Sequence, residues 1–289
     1  MGSSQQEVEV SYGVSNEFFE LWLDERMNYT CALYEDTKNF SDNFEQAQDN
    51  KLKRLSRMAG ITRQTESMLD IGCGWGANIE YQALINKIPN VYGITLSEEQ
   101  WKKCVDRKLP NTTALCKNFW EYEPGETKFD AVMSICMVEH LVTPEDARAG
   151  KAVDIYRNYF KRVHGWTKPG TLFGLQAITR CNVPRKREQL DNLRHATYTI
   201  FPGAVTPRVE DLIIAANPYY EVMEMYSMRD HYRATTAEWL ARLRKHEGVI
   251  REKWGNQVFV DYDRYLSTCV EAFINNWQSL HQYSLRRLN

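Results

Sequence analysis

The chain has 289 residues, of which 43% are hydrophobic and 26% are charged. This composition is typical of a globular protein, and the length allows one large domain or two small ones. The formal net charge of −2 argues against a nucleic-acid partner. No apolar run is long enough to span a bilayer, and the polar first residues do not resemble a signal peptide. We expect a cytoplasmic protein without stable membrane insertion.

The seven cysteines are an odd number and lack the spacing of metal ligands. Several lie in apolar segments, where cysteine packs as a small hydrophobic side chain. We therefore expect no metal site and no disulfide framework, in agreement with a reducing compartment.

The predicted elements alternate between strands and helices through most of the chain. Helical apolar spacing covers residues 15–24 and 43–59 before the first strand. Helices are also predicted at 79–87, after the Ser97 cap, and at 235–276. Buried strands are predicted at 68–71, 91–95, 113–116, 129–135, 172–178 and 278–286, with a turn at 168–170 before the fifth. This alternation predicts a parallel sheet covered on both faces.

The segment 179–217 is polar, contains three prolines and shows no clean period. It is unusually long for a connection, which indicates a lid or a substrate-binding excursion. We expect a single domain over residues 1–289, with a helical extension at 1–60 and an inserted cap at 179–235.

A glycine-rich loop follows the first predicted strand, in the sequence Leu69-Asp70-Ile71-Gly72-Cys73-Gly74-Trp75-Gly76. Glycines at such a strand-to-helix turn let a nucleotide-like cofactor approach the backbone, and Asp70 stands at the strand's carboxyl end. A nicotinamide site would place an acidic residue at the end of the second strand. Here that strand ends in Thr95-Leu96-Ser97, which disfavours NAD. S-adenosylmethionine, which has no diphosphate, fits the loop better.

Ordered motifs resemble the cyclopropane fatty acid synthase and mycolic acid methyltransferase family over nearly the whole chain. The motifs are Asn16-Glu17-Phe18-Phe19, Asn28 to Glu35, Leu69 to Gly76, Gly93 to Gln100, Val138-Glu139-His140, Ile200 to Gly203, His231-Tyr232 and Tyr265-Leu266. The resemblance implies a Rossmann-like class I methyltransferase fold, with a mostly parallel seven-stranded sheet and helices on both faces. It also implies S-adenosylmethionine as the cofactor.

The resemblance also assigns cofactor-binding positions. Tyr29, Thr30, Gly72 and Gly74 would contact the methionine part, next to Asp70. The other positions would hold the ribose and the adenine: Thr95, Leu96, Gln100, Phe119 and Trp120.

Members of this family methylate an electron-rich carbon–carbon double bond, which leaves a carbocation that must lose a proton. Aromatic walls stabilise such a cation, and one basic group collects the proton. The family commonly holds a bicarbonate for this purpose, and Cys31, Glu139 and Tyr232 match three of its ligands. Gln176 replaces the histidine at the fourth position, so an anion would be held less firmly. Either Glu139 is then the base itself, or water or the substrate takes the proton, and His140 beside Glu139 carries less weight.

The identity of the methyl acceptor is open at this stage. The lost histidine favours a C-methyltransferase of secondary metabolism, acting on a small isoprenoid or prenylated substrate, with or without cyclisation. The alternatives are a cyclopropane synthase acting on unsaturated fatty acyl lipids and an N-methyltransferase of an alkaloid-like amine. Whether the protein forms a homo-oligomer also stays open.

Overall fold

The computed structural model describes residues 2–38 and 44–289. The strands in these ranges are β1 (Ser67–Ile71), β2 (Asn90–Thr95), β3 (Thr112–Cys116), β4 (Phe129–Ile135), β5 (Thr167–Arg180), β6 (Tyr220–Ser227) and β7 (Gln278–Arg287). The helices are α1 (Gln5–Tyr12), α2 (Asn16–Glu20), α3 (Phe44–Met58), α4 (Ala77–Leu84), α5 (Glu98–Asp106), α6 (Pro144–Arg148), α7 (Ala152–Gly165), α8 (Arg187–His195), α9 (Val209–Ala216), α10 (Arg229–Lys245), α11 (Glu247–Trp254) and α12 (Asn256–Ile274). A 3₁₀ turn covers Val138–His140, and a π-helical turn covers Ala196–Ile200.

The seven strands form one sheet in the order β3-β2-β1-β4-β5-β7-β6. The five strands β1 to β5 run parallel, whereas β7 is antiparallel to both β5 and β6. The mostly parallel seven-stranded α/β sheet expected from the sequence is thus confirmed. The chain order reverses between β1 and β4, and open α/β sheets bind their ligands at such a switch point.

Alternation along β1 divides the core between the two faces of the sheet. Leu69 and Ile71 pack in one cluster with Phe160 of α7, whereas Met68 packs in another with Leu55 of α3. Successive residues of a strand point to opposite faces, so a strand buried on both faces is a continuous apolar run. Helices therefore cover the sheet on both sides, as expected.

A third cluster joins α2 to the carboxyl-terminal helices. The rings of Phe18 and Tyr262 lie 4.6 Å apart, and those of Trp22 and Trp239 lie 5.9 Å apart. The cluster reaches the glycine loop through Trp75, whose ring is 4.9 Å from that of Phe19. This helical layer therefore packs directly on the loop after β1.

The amino-terminal helices differ from the prediction. The helix predicted at 15–24 ends at Glu20. Beyond it, the Asp24 carboxylate accepts hydrogen bonds from the backbone N–H groups of Arg26 and Asn28 and holds a separate turn. Helix α1 was not predicted, although its capping box of Ser4 and Glu7 is a sequence signal. The helix predicted at 43–59 corresponds to α3, and its first residue lies outside the described residues.

The second half of the chain also departs from the prediction. The turn expected at 168–170 lies inside β5, where Gly170 has a φ of +76° and the pairing with β4 shifts register. The helix predicted at 235–276 is three helices, and the first begins at Arg229. Strand β6 was missed because exposed apolar residues on this edge strand obscure the alternation: Val222, Met223, Met225 and Tyr226.

Gly93 gives a test of how tightly the sheet packs below the loop. A Cβ at Gly93 would lie 2.3 Å from Ile79 Cδ1 and 2.9 Å from Cys73 Sγ. We expect Gly93→Ala to lower the free energy of unfolding by roughly 1–3 kcal/mol in urea titrations, because an added methyl group overpacks this site. Gly248→Ala is the control, since no atom lies within 4 Å of its added Cβ, and its stability should be unchanged or slightly higher. Equal stability of the Gly93 variant and the parent protein would contradict the packing described.

Candidate functional site

A cavity of about 560 Å³ opens at the carboxyl ends of the parallel strands. All ten residues predicted to bind the cofactor line it: Tyr29, Thr30, Asp70, Gly72, Gly74, Thr95, Leu96, Gln100, Phe119 and Trp120. Its volume is typical of a site for a small organic ligand. The structure therefore brings these ten residues together, and their individual contacts with a cofactor stay a prediction.

The glycine loop takes a conformation that requires glycine at its first position. Gly72 has a φ of +81°, and a Cβ there would lie 2.6 Å from Met137 Cγ. Its N–H and that of Cys73 both donate to the Ile94 carbonyl at 2.9 Å, which ties the loop to β2. Gly74 also has a positive φ, but a Cβ added there would meet only the end of the Gln100 side chain, at 4.0 Å.

The ends of β1 and β2 place two polar groups at the cavity wall. Asp70 is 1% exposed, and its Oδ1 is buried without a hydrogen-bond partner. Burial raises the pKa of Asp70 to about 7, against a hydrogen bond with the Asn78 side chain and, to a smaller extent, the charge of Lys51. At the end of β2, the Thr95 hydroxyl donates to Gln100 Oε1 at 2.9 Å, which holds the first turn of α5 in place. Asp70 can thus accept a hydrogen bond from a ligand.

Glu139 supplies the second buried carboxyl group of the cavity. Its Oε1 accepts a hydrogen bond of 2.6 Å from the backbone N–H of Ile178, whereas its Oε2 is buried without a partner. Burial raises the pKa of Glu139 to about 7, against the effect of the Ile178 hydrogen bond. A carboxyl group with a pKa near neutrality is suited to accept a proton at physiological pH.

Aromatic rings form part of the wall of the cavity that Glu139 lines. Tyr232 stacks on Phe273 with ring centroids 4.6 Å apart, and Phe201 meets Tyr265 edge to face at 5.6 Å. All four side chains line the cavity. Tyr232, predicted as catalytic, therefore lies in the aromatic wall.

His140 also lines the cavity, and it contacts the amino-terminal helix. Its Nε2 lies 3.4 Å from the Tyr12 hydroxyl and its Nδ1 lies 3.4 Å from the Ser3 hydroxyl. Burial lowers the pKa of His140 to about 4, so its ring is neutral at physiological pH. It can therefore orient hydrogen bonds there but is a poor proton acceptor.

Two of the four predicted catalytic residues do not line the cavity. The Cys31 thiol is fully buried and lies 3.2 Å from the Ala32 carbonyl oxygen. Gln176 accepts a hydrogen bond from Gln282 at 2.8 Å and donates one to Cys136 Sγ at 3.4 Å. The sequence match gave the positions of these residues along the chain but could not show where their side chains point.

These contacts do not fit a bound bicarbonate. The Ile178 N–H donates to Glu139, and the Gln176 amide is committed to Gln282 and Cys136. No histidine stands at position 176 to supply positive charge. We therefore propose that Glu139 takes the proton without an added anion.

Several cavity residues were missed by sequence reasoning. They are Tyr12 from α1, Lys51 from α3 and Cys136 at the end of β4. The α1 capping box could have indicated the helix of Tyr12. Cys136 has a φ of +56°, and such a backbone conformation is uncommon in residues other than glycine.

The predicted cap range contains two kinds of structure. Leu193 of α8 and residues 196–198 line the cavity, whereas β6 pairs with β7 as part of the sheet. We therefore propose that the cap is confined to residues 181–208.

The chain is similar to lipid-modifying enzymes. The sequence model of the mycolic acid cyclopropane synthetase family matches residues 2–283. A probable fatty acid methyltransferase of Pseudomonas putida is 30% identical over 285 residues, covering 94% of this chain and 66% of that protein. The cyclopropane-fatty-acyl-phospholipid synthase of Escherichia coli is 29% identical over 272 residues, covering 92% of this chain and 65% of that protein. The chain thus spans about two thirds of the length of these two relatives.

The fold is shared with a solved structure of mycolic acid cyclopropane synthase CmaA1 in complex with S-adenosylhomocysteine. The TM-score is 0.87 at 23% identity, and the match covers 99% of each chain. The fold and the cavity define a class I methyltransferase that uses S-adenosylmethionine. The chain belongs to the mycolic acid cyclopropane synthetase family.

Within residues 2–38 and 44–289, no helix is long and apolar enough to cross a membrane. The same part of the chain contains no group of three histidine, cysteine, aspartate or glutamate side chains arranged to hold a metal ion.

Glu139 should reduce the stability of the protein at neutral and alkaline pH. Its folded-state pKa lies above the ordinary value, so its contribution to stability is fully present below about pH 4.5 and is lost as the pH rises through about 7. We expect the free energy of unfolding of Glu139→Gln, relative to the parent protein, to rise by about 3 kcal/mol between pH 4.5 and 8. Urea titrations at both pH values measure this change. In the exposed control Glu126→Gln, the difference in free energy of unfolding from the parent protein should be the same at both pH values. The same result in Glu139→Gln would contradict a buried Glu139 carboxyl group.

Proposed function

We propose that this methyltransferase transfers a methyl group to an alkene carbon of an unsaturated fatty acyl chain. The proposal rests on one observation: the Glu139 carboxyl group is buried in an aromatic cavity, and one of its oxygens has no hydrogen-bond partner. The same cavity contains the residues expected to bind the cofactor. The fatty acyl chain is favoured because the two relatives are named for fatty acid methylation and fatty-acyl-phospholipid cyclopropanation.

The first step needs no base, because the alkene itself is the nucleophile. S-adenosylmethionine, when bound, supplies an electrophilic methyl group on a sulfonium centre. A carbon–carbon bond forms as the sulfur–methyl bond breaks, S-adenosylhomocysteine leaves, and the other alkene carbon becomes a cation. The protein must then stabilise this cation and keep water from it.

The aromatic wall meets both requirements. Four aromatic side chains line the cavity: Tyr232, Phe273, Phe201 and Tyr265. A cation over the face of such a ring is stabilised by about 0.5–2 kcal/mol. The same rings exclude water because they are buried or nearly so. They therefore favour proton loss over attack by water.

Glu139 is the proton acceptor in this proposal. Its Oε1 is held by the Ile178 N–H, which leaves Oε2 as the acceptor. Proton loss from the transferred methyl group closes a cyclopropane ring, whereas loss from a neighbouring carbon leaves a methylated alkene. In either case the acceptor gains one CH₂ unit, and the proton ends on the Glu139 carboxyl group.

The isoprenoid acceptor favoured by the sequence stays a prediction. Gln176, which suggested it, does not line the cavity, so its identity is a weak indicator of the acceptor. Only the fold supports the N-methyltransferase alternative. It is shared with coclaurine N-methyltransferase at a TM-score of 0.81 and 16% identity. The names of the two relatives favour the fatty acyl chain over both.

The acceptor class can be tested with a methyl-labelled cofactor. We expect vesicles of a monounsaturated phospholipid to gain one labelled CH₂ unit per acyl chain, and vesicles of the matching saturated phospholipid to gain none. Mass spectrometry of the extracted acyl chains measures the gain. Hydrogenation distinguishes the products, since only a methylated alkene takes up hydrogen readily under mild conditions. Label transferred to prenylated small molecules or to amines, but not to the unsaturated lipid, would overturn the fatty acyl proposal.

Glu139 can be tested through the pH dependence of turnover. At saturating cofactor we expect the rate to rise with pH through about 7 and then level off, because the base must be ionised. Glu139→Gln should lower the rate roughly 10²- to 10⁴-fold and remove this dependence. Added bicarbonate should stimulate neither protein.

His140→Gln serves as the control. The midpoint of its pH–rate profile should stay near pH 7, because His140 is neutral around this pH. An unchanged rate in Glu139→Gln would remove Glu139 from the mechanism. Stimulation by bicarbonate would show that an anion is the base.

A further inference from the structure

A second cleft, distinct from the cavity described above, lies at the start of the cap and has a volume of about 550 Å³. The residues that matter for its chemistry are Asn182, Val183, Arg185, Lys186, Asn275 and Trp277. None of them lines the larger cavity, and no described aspartate or glutamate lines the second cleft. The charged side chains of the second cleft are therefore all positive.

The two cations of the second cleft are not neutralised by a direct contact. Arg185 and Lys186 are exposed, and neither forms an ion pair with a carboxylate of the described residues. The next residue, Arg187, does form one, with Asp191 at 3.8 Å. Such unpaired cations side by side attract an anion.

Trp277 adds a neutral donor to the second cleft. Its side chain is only 7% exposed, and its indole N–H has no hydrogen-bond partner among the described residues. The unpartnered indole N–H groups of Trp22 and Trp239 are sealed in the core, whereas that of Trp277 keeps some exposure. A nearly buried donor that still reaches open space is suited to bind an acceptor from outside the protein.

The second cleft adjoins the cavity through the ends of β5 and β7. Arg180 and Gln278 are paired at these strand ends, and both line the cavity. The backbone contact continues outward, because the Cys181 N–H donates to the Trp277 carbonyl at 2.8 Å. Asn182 and Trp277 then line the second cleft. A ligand can therefore have one part in the cavity and another part in the second cleft.

The three most exposed large apolar side chains of the described residues belong to the same region. Val183, in the second cleft, is 74% exposed, and Ile274, next to Asn275 of the cleft, is 59% exposed. Tyr198, which lines the cavity, is 64% exposed. A single exposed apolar side chain is ordinary, but apolar side chains beside unpaired cations are typical of surfaces that lie on a bilayer.

We propose that the second cleft binds the phosphate of a membrane phospholipid while an acyl chain of the same lipid occupies the cavity. Arg185, Lys186 and the Trp277 N–H donate to the phosphate oxygens, and Val183 and Ile274 enter the bilayer interface. The inference rests on the proposed fatty acyl acceptor and specifies its form, an acyl chain esterified in a phospholipid rather than a free fatty acid. Since the net charge of the chain is −2, attraction to the bilayer must come from this local surface.

Sedimentation with vesicles of a monounsaturated phosphatidylglycerol tests the site without a cofactor. We expect Arg185→Gln/Lys186→Gln to weaken vesicle binding roughly ten- to thirtyfold, because each basic residue near an anionic bilayer contributes roughly fivefold. The matched control is Arg63→Gln/Lys161→Gln, which makes the same change of charge at two exposed residues before β1 and on α7. The control should bind vesicles like the parent protein.

Two further variants distinguish lipid phosphate from free phosphate and from a general attraction of charge. Trp277→Phe changes no charge, and it should weaken vesicle binding roughly two- to tenfold through the lost hydrogen bond. Val183→Ser/Ile274→Ser should weaken vesicle binding without changing the affinity for inorganic phosphate, measured by calorimetry. Inorganic phosphate bound in the second cleft, together with vesicle binding that none of these variants changes, would overturn the proposal.

Methyl transfer distinguishes failure of the second cleft from failure of the proposed function. With the same vesicles as substrate, Arg185→Gln/Lys186→Gln should raise the KM for lipid roughly tenfold rather than lower kcat. If the parent protein binds vesicles through the second cleft but methylates no acyl chain, the fatty acyl proposal fails and the site stands. If the parent protein methylates the lipid, and the double variant binds and methylates it equally well, the site is overturned.

Discussion

Two carboxyl groups, Asp70 and Glu139, are buried in one cavity, and each keeps an oxygen without a hydrogen-bond partner. This is an expensive arrangement, because burial disfavours ionisation and raises the pKa of both groups to about 7. Such a cost is usual at functional sites, where stability is given up for reactivity. We propose that their roles differ by position: Asp70 stands at the end of β1 before the glycine loop, and Glu139 follows β4 in the cavity that the aromatic rings also line.

The sheet brings these two groups together. Asp70 is on β1 and Glu139 follows β4, and these neighbouring parallel strands end at the same edge. Gly72 turns the chain away immediately after β1, where a side chain would collide with Met137 just before Glu139. The glycine loop and the segment that carries Glu139 are therefore packed against each other through Met137.

The sequence was sufficient to predict which residues line the cavity where those residues belong to local motifs. The glycine loop, Thr95 and Gln100 stand at strand ends and in a helix cap, so the element order alone brings them to one edge of the sheet. Lys51 and Tyr12 reach the cavity from helices distant in sequence, which no local pattern reveals. For Cys31 and Gln176, the motif gave the position along the chain, but neighbours such as Gln282 decide where the side chain points.

The proposed mechanism requires the cofactor's methyl-bearing sulfur to face Glu139 across the cavity. A crystal structure with S-adenosylhomocysteine tests it most directly. The account predicts the amino acid end of the ligand beside Asp70, and the sulfur directed at Glu139 Oε2 with no side chain between them. A sulfur turned away from Glu139, or a protein group bonded to Oε2 in the complex, would contradict it.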